Sequence, residues 1–414
     1  MRSPGRIVYQ GALLFDGTGA PAREADVSVE HGRIVAVGSG LDGDTAVPLA
    51  GCTLLPGFVD CHVHVMVSST DLTTVARISP AYRLLQATVN LRRTLAAGVT
   101  LARDADGAEA ALRDALADGL ITGPRLKVAV SMIGQTGGRS DGWMPAGFDF
   151  PAFDVGPGRP SGVADGVDEV RRTARRIIRA GADVLKVAVS GSLLAGGDPT
   201  RHTHFRAEEI AAAVAEAEAA GLPAMAHAHS AAGAKAAVRA GVRSIEHGTA
   251  LDHETLELMA ERGTWLVPTL AATRATLTAH ELAGAPRSRI DQLAETVARH
   301  TESVTRAWRA GVRLAMGSDS GVTPHGANLL ELAELSALGL PAAEVLVAGT
   351  SSGAALLGAG EEAGTLEPGK RADIVVLAGG VEDLSTLPDR IRAVLLGGRL
   401  RAGAFPVPVG QEAI

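Results

Sequence analysis

The sequence predicts an α/β protein: a (β/α)₈ TIM barrel over residues 54–365, joined to a small β-sandwich domain assembled from residues 1–53 and 366–414 of a 414-residue chain. Three observations predict it. Eight short runs rich in β-branched residues alternate with alanine-rich amphipathic stretches through the middle of the chain. Both ends read instead as short strands punctuated by glycine. Phe, Tyr and Trp number only 7, 2 and 3, so the core must be built from Val, Leu, Ile and Ala, which suits parallel strands covered by helices.

Taken in order, the chain opens with RIVYQGALLF, the turn DGTG at residues 16–19, and ADVSVEHGRIVAVG with its own turn at HG. This stretch is too small to hold a core alone, and the tail supplies partners in ADIVVLAGG (372–380) and RIRAVLLGGRLRAG (390–403). Between them lie the eight barrel runs: LLPGFVDCHVH (54–64), VTLARDAD (99–106), RLKVAVSMI (125–133), DVLKVAVSG (183–191), PAMAHAHS (223–230), RSIEHGT (243–249), TWLVPTL (264–270) and VRLAMGSDS (312–320). FRAEEIAAAVAEAEAAG (205–221) carries apolar positions at helical spacing and ends in Gly, as a helix feeding the next strand should. Residues 134–165, rich in Gly and Pro after the third run, read as an active-site loop.

Composition narrows the function classes. A net charge of −7 with no basic run argues against nucleic-acid binding. No window offers eighteen apolar residues without a charge, so no membrane span is expected. The opening MRSPGRIVYQ has no apolar leader and the two cysteines, Cys52 and Cys61, make no disulfide framework, so the expected location is the cytoplasm. Barrels of this kind often associate, which leaves a homo-oligomer open.

In such a barrel the chemistry sits at the C-terminal ends of the strands. The first run ends in His62-Val63-His64, and period-2 alternation sets both imidazoles on one side about 7 Å apart, within reach of one ion. The fifth carries His227 and His229 on one face, the sixth ends in His247 and the eighth in Asp319. A lone histidine of this sort is most often a satisfied core residue, but four strand ends each bearing a metal-type ligand point to a metal centre. Lys186 stands among Val184, Leu185, Val187, Ala188 and Val189. Burying its ammonium is costly unless it is paired, and that cost pushes its pKa toward the free amine. A free amine near metal ions can take up CO₂ to form a bridging carbamate. The plainer alternative is a lysine paired with Glu246 or Asp319, and beside four histidines and an aspartate the bridging role is preferred.

These residues resemble the amidohydrolase superfamily, in particular the subgroup similar to imidazolonepropionase, prolidase-like dipeptidases and ochratoxinase. The resemblance spans nearly the whole chain: DGTG, HGRIVAVG, PGFVDCHVH at 56–64, LKVAVSG at 185–191, AHAHS at 226–230, SIEHGT at 244–249, VPTL at 267–270, GSDSG at 317–321 and GTLEPGKRADIVVL at 364–377. It implies that His62 and His64 bind one divalent ion, that Lys186 is carboxylated and bridges to a second, and that His227 and His247 hold that second ion. Asp319 then ligates the first ion and takes the proton from a bridging water. His229 is placed near the substrate, with a direct ligand or packing role as the alternative. Zinc is the expected metal for such a histidine-rich set, with Mn, Co or Fe as alternatives.

The chain also departs from the subgroup. Related dipeptidases show Thr-Gly-Gly-His after strand 3, whereas this chain reads Thr136-Gly137-Gly138-Arg139. Arg139 either clamps a substrate carboxylate with its guanidinium fork or is a solvated loop charge. Trp143, Phe148, Phe150 and Phe153 follow closely and read as an apolar wall over the pocket. His202, His204 and His325 fall in rim loops, where a surface position is the plainer reading and His325 is retained as a substrate candidate. Cys61 points away from the histidines and packs. The expected activity is binuclear metal-dependent hydrolysis of an amide bond in an N-acyl or aminoacyl amino acid, a small molecule bearing a carboxylate. Hydrolysis of cyclic amides, lactones or organophosphate esters at the same centre is the alternative. A mononuclear deaminase, which has no need of Lys186, and a non-enzymatic scaffold, which would have lost a ligand, fit less well.

Overall fold

The computed structural model describes residues 5–144, 146–149, 155–193 and 200–406. The two chain ends interleave in two sheets. One runs in the order Arg33–Gly38, Asp26–Glu30, Ile7–Gln10, Thr45–Pro48, and the other Arg399–Gly403, Ile391–Leu396, Ile374–Ala378, Cys52–Pro56, Leu13–Leu14, Arg23–Glu24. Tyr9, Val27 and Leu54 from the beginning of the chain share a buried cluster with Ile374 and Leu395 from its end. Strand Cys52–Pro56 pairs antiparallel with Ile374–Ala378, in the register Ile374↔Pro56. The expected boundary between residues 53 and 54 therefore falls inside a strand of the terminal sheet. The run 52–63 is buried throughout and offers no break; the turn-over comes at Gly57, where a Cβ would collide with the Thr100 side chain.

The central region is a parallel α/β array. Strands Phe58–Val63, Val99–Asp104 and Arg125–Val128 pair in parallel, as do Met132–Ile133, Leu185–Ala188, Ala224–Ala228, Ser244–His247 and Trp265–Val267. The third expected run is split between Val128 and Met132, where Val130 adopts a φ of 64°. The eighth is not a regular strand, but residues 313–320 hydrogen-bond on both sides. Leu266 N–H donates to Arg313 O, and Cys61 N–H and His64 N–H donate to Met316 O and Ser320 O. All strand C-termini consequently open on one side of the sheet.

Helices cover the outer faces because their apolar residues recur at helical spacing. Pro80–Ala96 starts with Ser79, whose hydroxyl accepts from Tyr82 N–H, and with Pro at its first position. It buries Ala87, Asn90, Leu91, Thr94 and Leu95, leaving Arg83 and Gln86 of its opening turns facing the cavity described below. Among the described residues no helix is long and apolar enough to cross a membrane.

Candidate metal centre and active site

Strand Phe58–Val63 is buried on both faces, and its alternation decides which side chains meet the site. Val59 and Cys61 point outward, where Cys61 Sγ lies 3.8 Å from Gly353 O of helix Ser351–Leu356. Asp60, His62 and His64 point the other way. Asp60 does not face the cavity: it accepts from Ser318 N–H and Oγ–H (3.0 and 2.6 Å) and from Asn328 Nδ2–H (2.9 Å), tying this strand to the segment that carries Asp319.

Two groups of three donors converge, His62/His64/Asp319 and His227/His229/His247, the donor atoms within each lying within 4.8 Å of one another. The groups adjoin, with the His62 and His247 rings 5.0 Å apart and the His227 and His247 rings 4.7 Å apart. The structure thus brings together every histidine and the aspartate expected at the centre. His229 sits squarely in the second group, its ring stacked on His247 at 4.8 Å.

Each ring is oriented through its other nitrogen. His62 Nδ1–H donates to Glu246 Oε2 at 2.7 Å and His64 Nδ1–H to Asp106 O at 2.9 Å. His227 Nε2–H donates to Gly191 O at 3.2 Å, while Nδ1 of His229 and of His247 are bonded at 2.7 Å to Thr249 and Thr269 hydroxyls. A carbonyl or carboxylate can only accept, so the neutral rings of His62, His64 and His227 turn a bare lone pair inward. His64 Nε2 then faces Asp319 Oδ1 at 3.3 Å and His62 Nε2 faces it at 3.6 Å, while Oδ1 is buried without a hydrogen-bond donor. Lone pairs opposed to a carboxylate in this way need a cation between them, so the donor set fits a divalent ion.

Electrostatics agree with that reading for four of the five histidines, His64 being the exception. Burial pulls His62, His227 and His247 well below the ordinary imidazole pKa and His229 down to about 3, which keeps these rings neutral and able to ligate. Burial opposes charge on His64 and Asp319 as well, but each stabilises the other: His64 is held above its ordinary value and Asp319 below the usual carboxylate range. Lys186 is fully enclosed, and burial lowers its pKa despite the attraction of Asp106, Glu246 and Asp319. Its Nζ lies 3.4 Å from His62 Nε2. The carboxylate pairing weighed for it does not form with Glu246, which binds His62, Arg103 Nη2 (2.9 Å) and Ser244 Oγ (2.5 Å) instead.

A cavity of about 200 Å³ opens over these residues, lined by His64, Lys186, His227, His229, His247 and Asp319 together with Arg139. Arg139 makes no hydrogen bond or ion pair among the described residues, and it is close enough to oppose positive charge on Lys186, His227 and His229. The other loop expectations fare differently. His325 does not line the cavity: its Nε2–H donates to Val67 O at 2.8 Å, bracing a cavity-lining segment from behind. His204 is buried rather than on the rim, against Gly138, because the strand-4 loop folds onto the strand-3 loop. Trp143 is 62% exposed in a two-strand ribbon with Phe148 and does not reach the cavity, and Phe150 and Phe153 lie outside the described residues. Sequence reasoning missed Arg103, Thr249, Thr269 and the Asp60 network. Asp60 alone carried a signal, two residues before His62 on the same strand face.

The amidohydrolase family model matches residues 53–400. The chain belongs to the amidohydrolase family. Ochratoxinase of Aspergillus niger is 32% identical over 437 residues, covering 98% of this chain and 88% of that protein. The crystal structure of A. niger ochratoxinase superposes with a TM-score of 0.84 at 28% identity, covering 97% of this chain and 96% of the other. That of an Xaa-Pro dipeptidase with methionine bound in its active site gives 0.88 at 29% identity, over 95% and 99%. A prolidase complexed with N-methylphosphonate-L-proline gives 0.84 at 31%, over 95% and 99%. This amidohydrolase is thus an α/β protein that hydrolyses amide C–N bonds, and its structural neighbours are amidohydrolases of the TIM-barrel type.

Proposed function

We propose that the protein is a binuclear metal hydrolase that cleaves the amide bond of an N-acyl or aminoacyl amino acid whose free carboxylate is held by Arg139. The observation that carries the reading is the adjoining pair of three-donor groups beside an enclosed lysine that forms no ion pair among the described residues. His62, His64 and Asp319 would hold one ion and His227 and His247 the other, with zinc suggested by imidazole-rich ligation and residues 313–320 completing an eight-strand barrel around them. When bound, such ions lower the pKa of water and polarise an amide carbonyl.

The chain's own groups do the rest. Lys186, kept toward the free amine by burial, adds through Nζ to CO₂, releasing one proton and gaining an anionic carbamate that links the two donor groups. Asp319 would accept a proton from the attacking water and pass it to the departing amide nitrogen. Arg139 offers a planar fork to the leaving amino acid's carboxylate. His229, which lines the cavity beside His227, would orient the substrate. The relatives support the carboxylate requirement, since one holds methionine and another N-methylphosphonate-L-proline.

Metal analysis tests the centre: about two ions per chain are expected, falling in Lys186→Ala, whereas a single ion unaffected by that change overturns it. A hydrolysis screen of N-acyl amino acids and dipeptides with added zinc tests the substrate. Turnover of lactones or phosphate esters without any carboxylate-bearing amide overturns that part.

A further inference from the structure

His247 ends strand Ser244–His247 at a φ of 68°, in a region that favours glycine, and Gly248 follows at 65°. Two left-handed residues in succession take the main chain out of the sheet at the point where the ring faces the centre. Such a conformation persists only where the surroundings over-determine it.

The surroundings here are one side of the 23-residue helix Arg287–Arg309. His300, Ser303 and Arg306 follow one another along it at three-residue spacing. His300 Nε2–H donates to His247 O at 2.9 Å, Ser303 Oγ–H to Gly248 O at 2.7 Å, and Arg306 Nη2–H to Leu251 O at 2.8 Å. Ser303 Oγ also accepts from Leu251 N–H at 3.0 Å. His300 and Ser303 are fully buried, so the bonds that hold the turn at its first two carbonyls are made out of the reach of water.

A second contact closes a circuit. The His247 carbonyl can only accept, so the proton of His300 is on Nε2, and burial, which pulls this imidazole down to about 4, leaves Nδ1 bare. Nδ1 accordingly accepts from the Thr273 hydroxyl at 2.9 Å. Thr273 belongs to helix Leu270–Leu282, one turn after Thr269 at the head of that helix, and Thr269 Oγ1 is bonded to His247 Nδ1 at 2.7 Å. His247 is therefore held at its ring by Thr269 and at its carbonyl by His300, and the two holds are joined through a single helical turn. Thr273 itself lines the cavity.

We propose that His300 is a positioning residue for metal binding: through His247 O and Thr273 it sets the aim of the His247 imidazole, and its loss costs the ion of the His227/His247 group. The proposal rests on the metal-centre reading above.

The test uses the full chain, stripped of metal and titrated with zinc against a chromophoric chelator, with urea unfolding of the metal-free form measured in parallel. The wild type is expected to show two stepwise affinities; a single ion there overturns the metal-centre reading before any variant is compared. His300→Leu is expected to weaken one ion about 10–100-fold and to leave the other within about threefold. His300→Gln, which keeps a donor for His247 O and an acceptor for Thr273, should recover most of that loss, while Thr273→Val should weaken the same ion by a smaller factor. In a His247→Ala background, where the ring to be aimed is gone, His300→Leu should weaken zinc no further. A purely structural role gives a different pattern, either a lower urea midpoint with both affinities unchanged or equal losses at both ions. Either result overturns the proposal, as does a further loss in the double variant. If His300→Leu does not fold, Thr273→Val decides, and an unchanged zinc titration in that variant overturns the proposal.

Discussion

Glu246 sits immediately before His247 in sequence, yet it acts on His62 from the far side of the site, and so shows how single residues are set here. Its carboxylate joins His62 Nδ1 to Arg103 in a fully buried chain. Because that bond fixes which nitrogen of His62 faces the centre, Glu246→Gln is expected to weaken metal binding about 10–100-fold. Equilibrium dialysis checks this, and unchanged affinity with an intact fold would remove the orienting role. Backbone strain marks the same region. His247, Thr269 and Asp319 hold φ values of 68°, 59° and 51°, a conformation that costs non-glycine residues on the order of 1–3 kcal/mol each. Propensity gives no hint of it, since the strain is imposed by neighbours that the residues meet only when folded.

Among elements, the eighth run carries the most consequence with the least regular structure. Gly317 lies where a Cβ would overlap Val267 and His62, so the segment can approach both flanking strands only without a side chain. Gly317→Ala is expected to destabilise the fold by about 1–3 kcal/mol and to displace His62, read as a lower unfolding midpoint together with reduced metal content. Helix His253–Arg262 offers a control away from the site. Asp252 caps it, accepting from Thr255 N–H at 2.9 Å and from Lys235 at 3.1 Å. Its slight burial opposes ionisation, but these donors outweigh it and hold the carboxyl below its ordinary value. A depressed pKa makes the stabilisation fully present above about pH 4 and progressively lost below. Asp252→Ala should therefore cost about 1 kcal/mol at pH 7 and less at pH 3, measured by urea unfolding at both values.

For the whole molecule, the two chain ends and the metal centre share one strand run, since Cys52–Pro56 belongs to the terminal sheet and Phe58–Val63 to the central one. Stabilising the centre should accordingly stabilise the chain. Ligand binding to the folded state alone contributes about 2.7 kcal/mol at a hundredfold excess over Kd. Chelation is thus expected to lower Tm and abolish hydrolysis, with both restored by added zinc. A Tm indifferent to chelator would separate the metal from folding.

The amino-acid sequence by itself determined the α/β class of fold and the family, and it singled out the histidines and the aspartate that converge at the candidate centre. Strand periodicity, glycine punctuation and HxH-type motifs are local, and each can be read within a few residues. What depended on distance in the chain did not show. The carboxylate pairing weighed as the alternative for Lys186 does not form with Glu246, which bonds to His62 instead, His204 lies inside rather than on the rim, and His325 bonds to Val67 rather than lining the cavity. Only packing between strand ends far apart in sequence decides which charges are already satisfied, and among the groups lining the cavity Arg139 and Asp319 Oδ1 are left without a hydrogen bond.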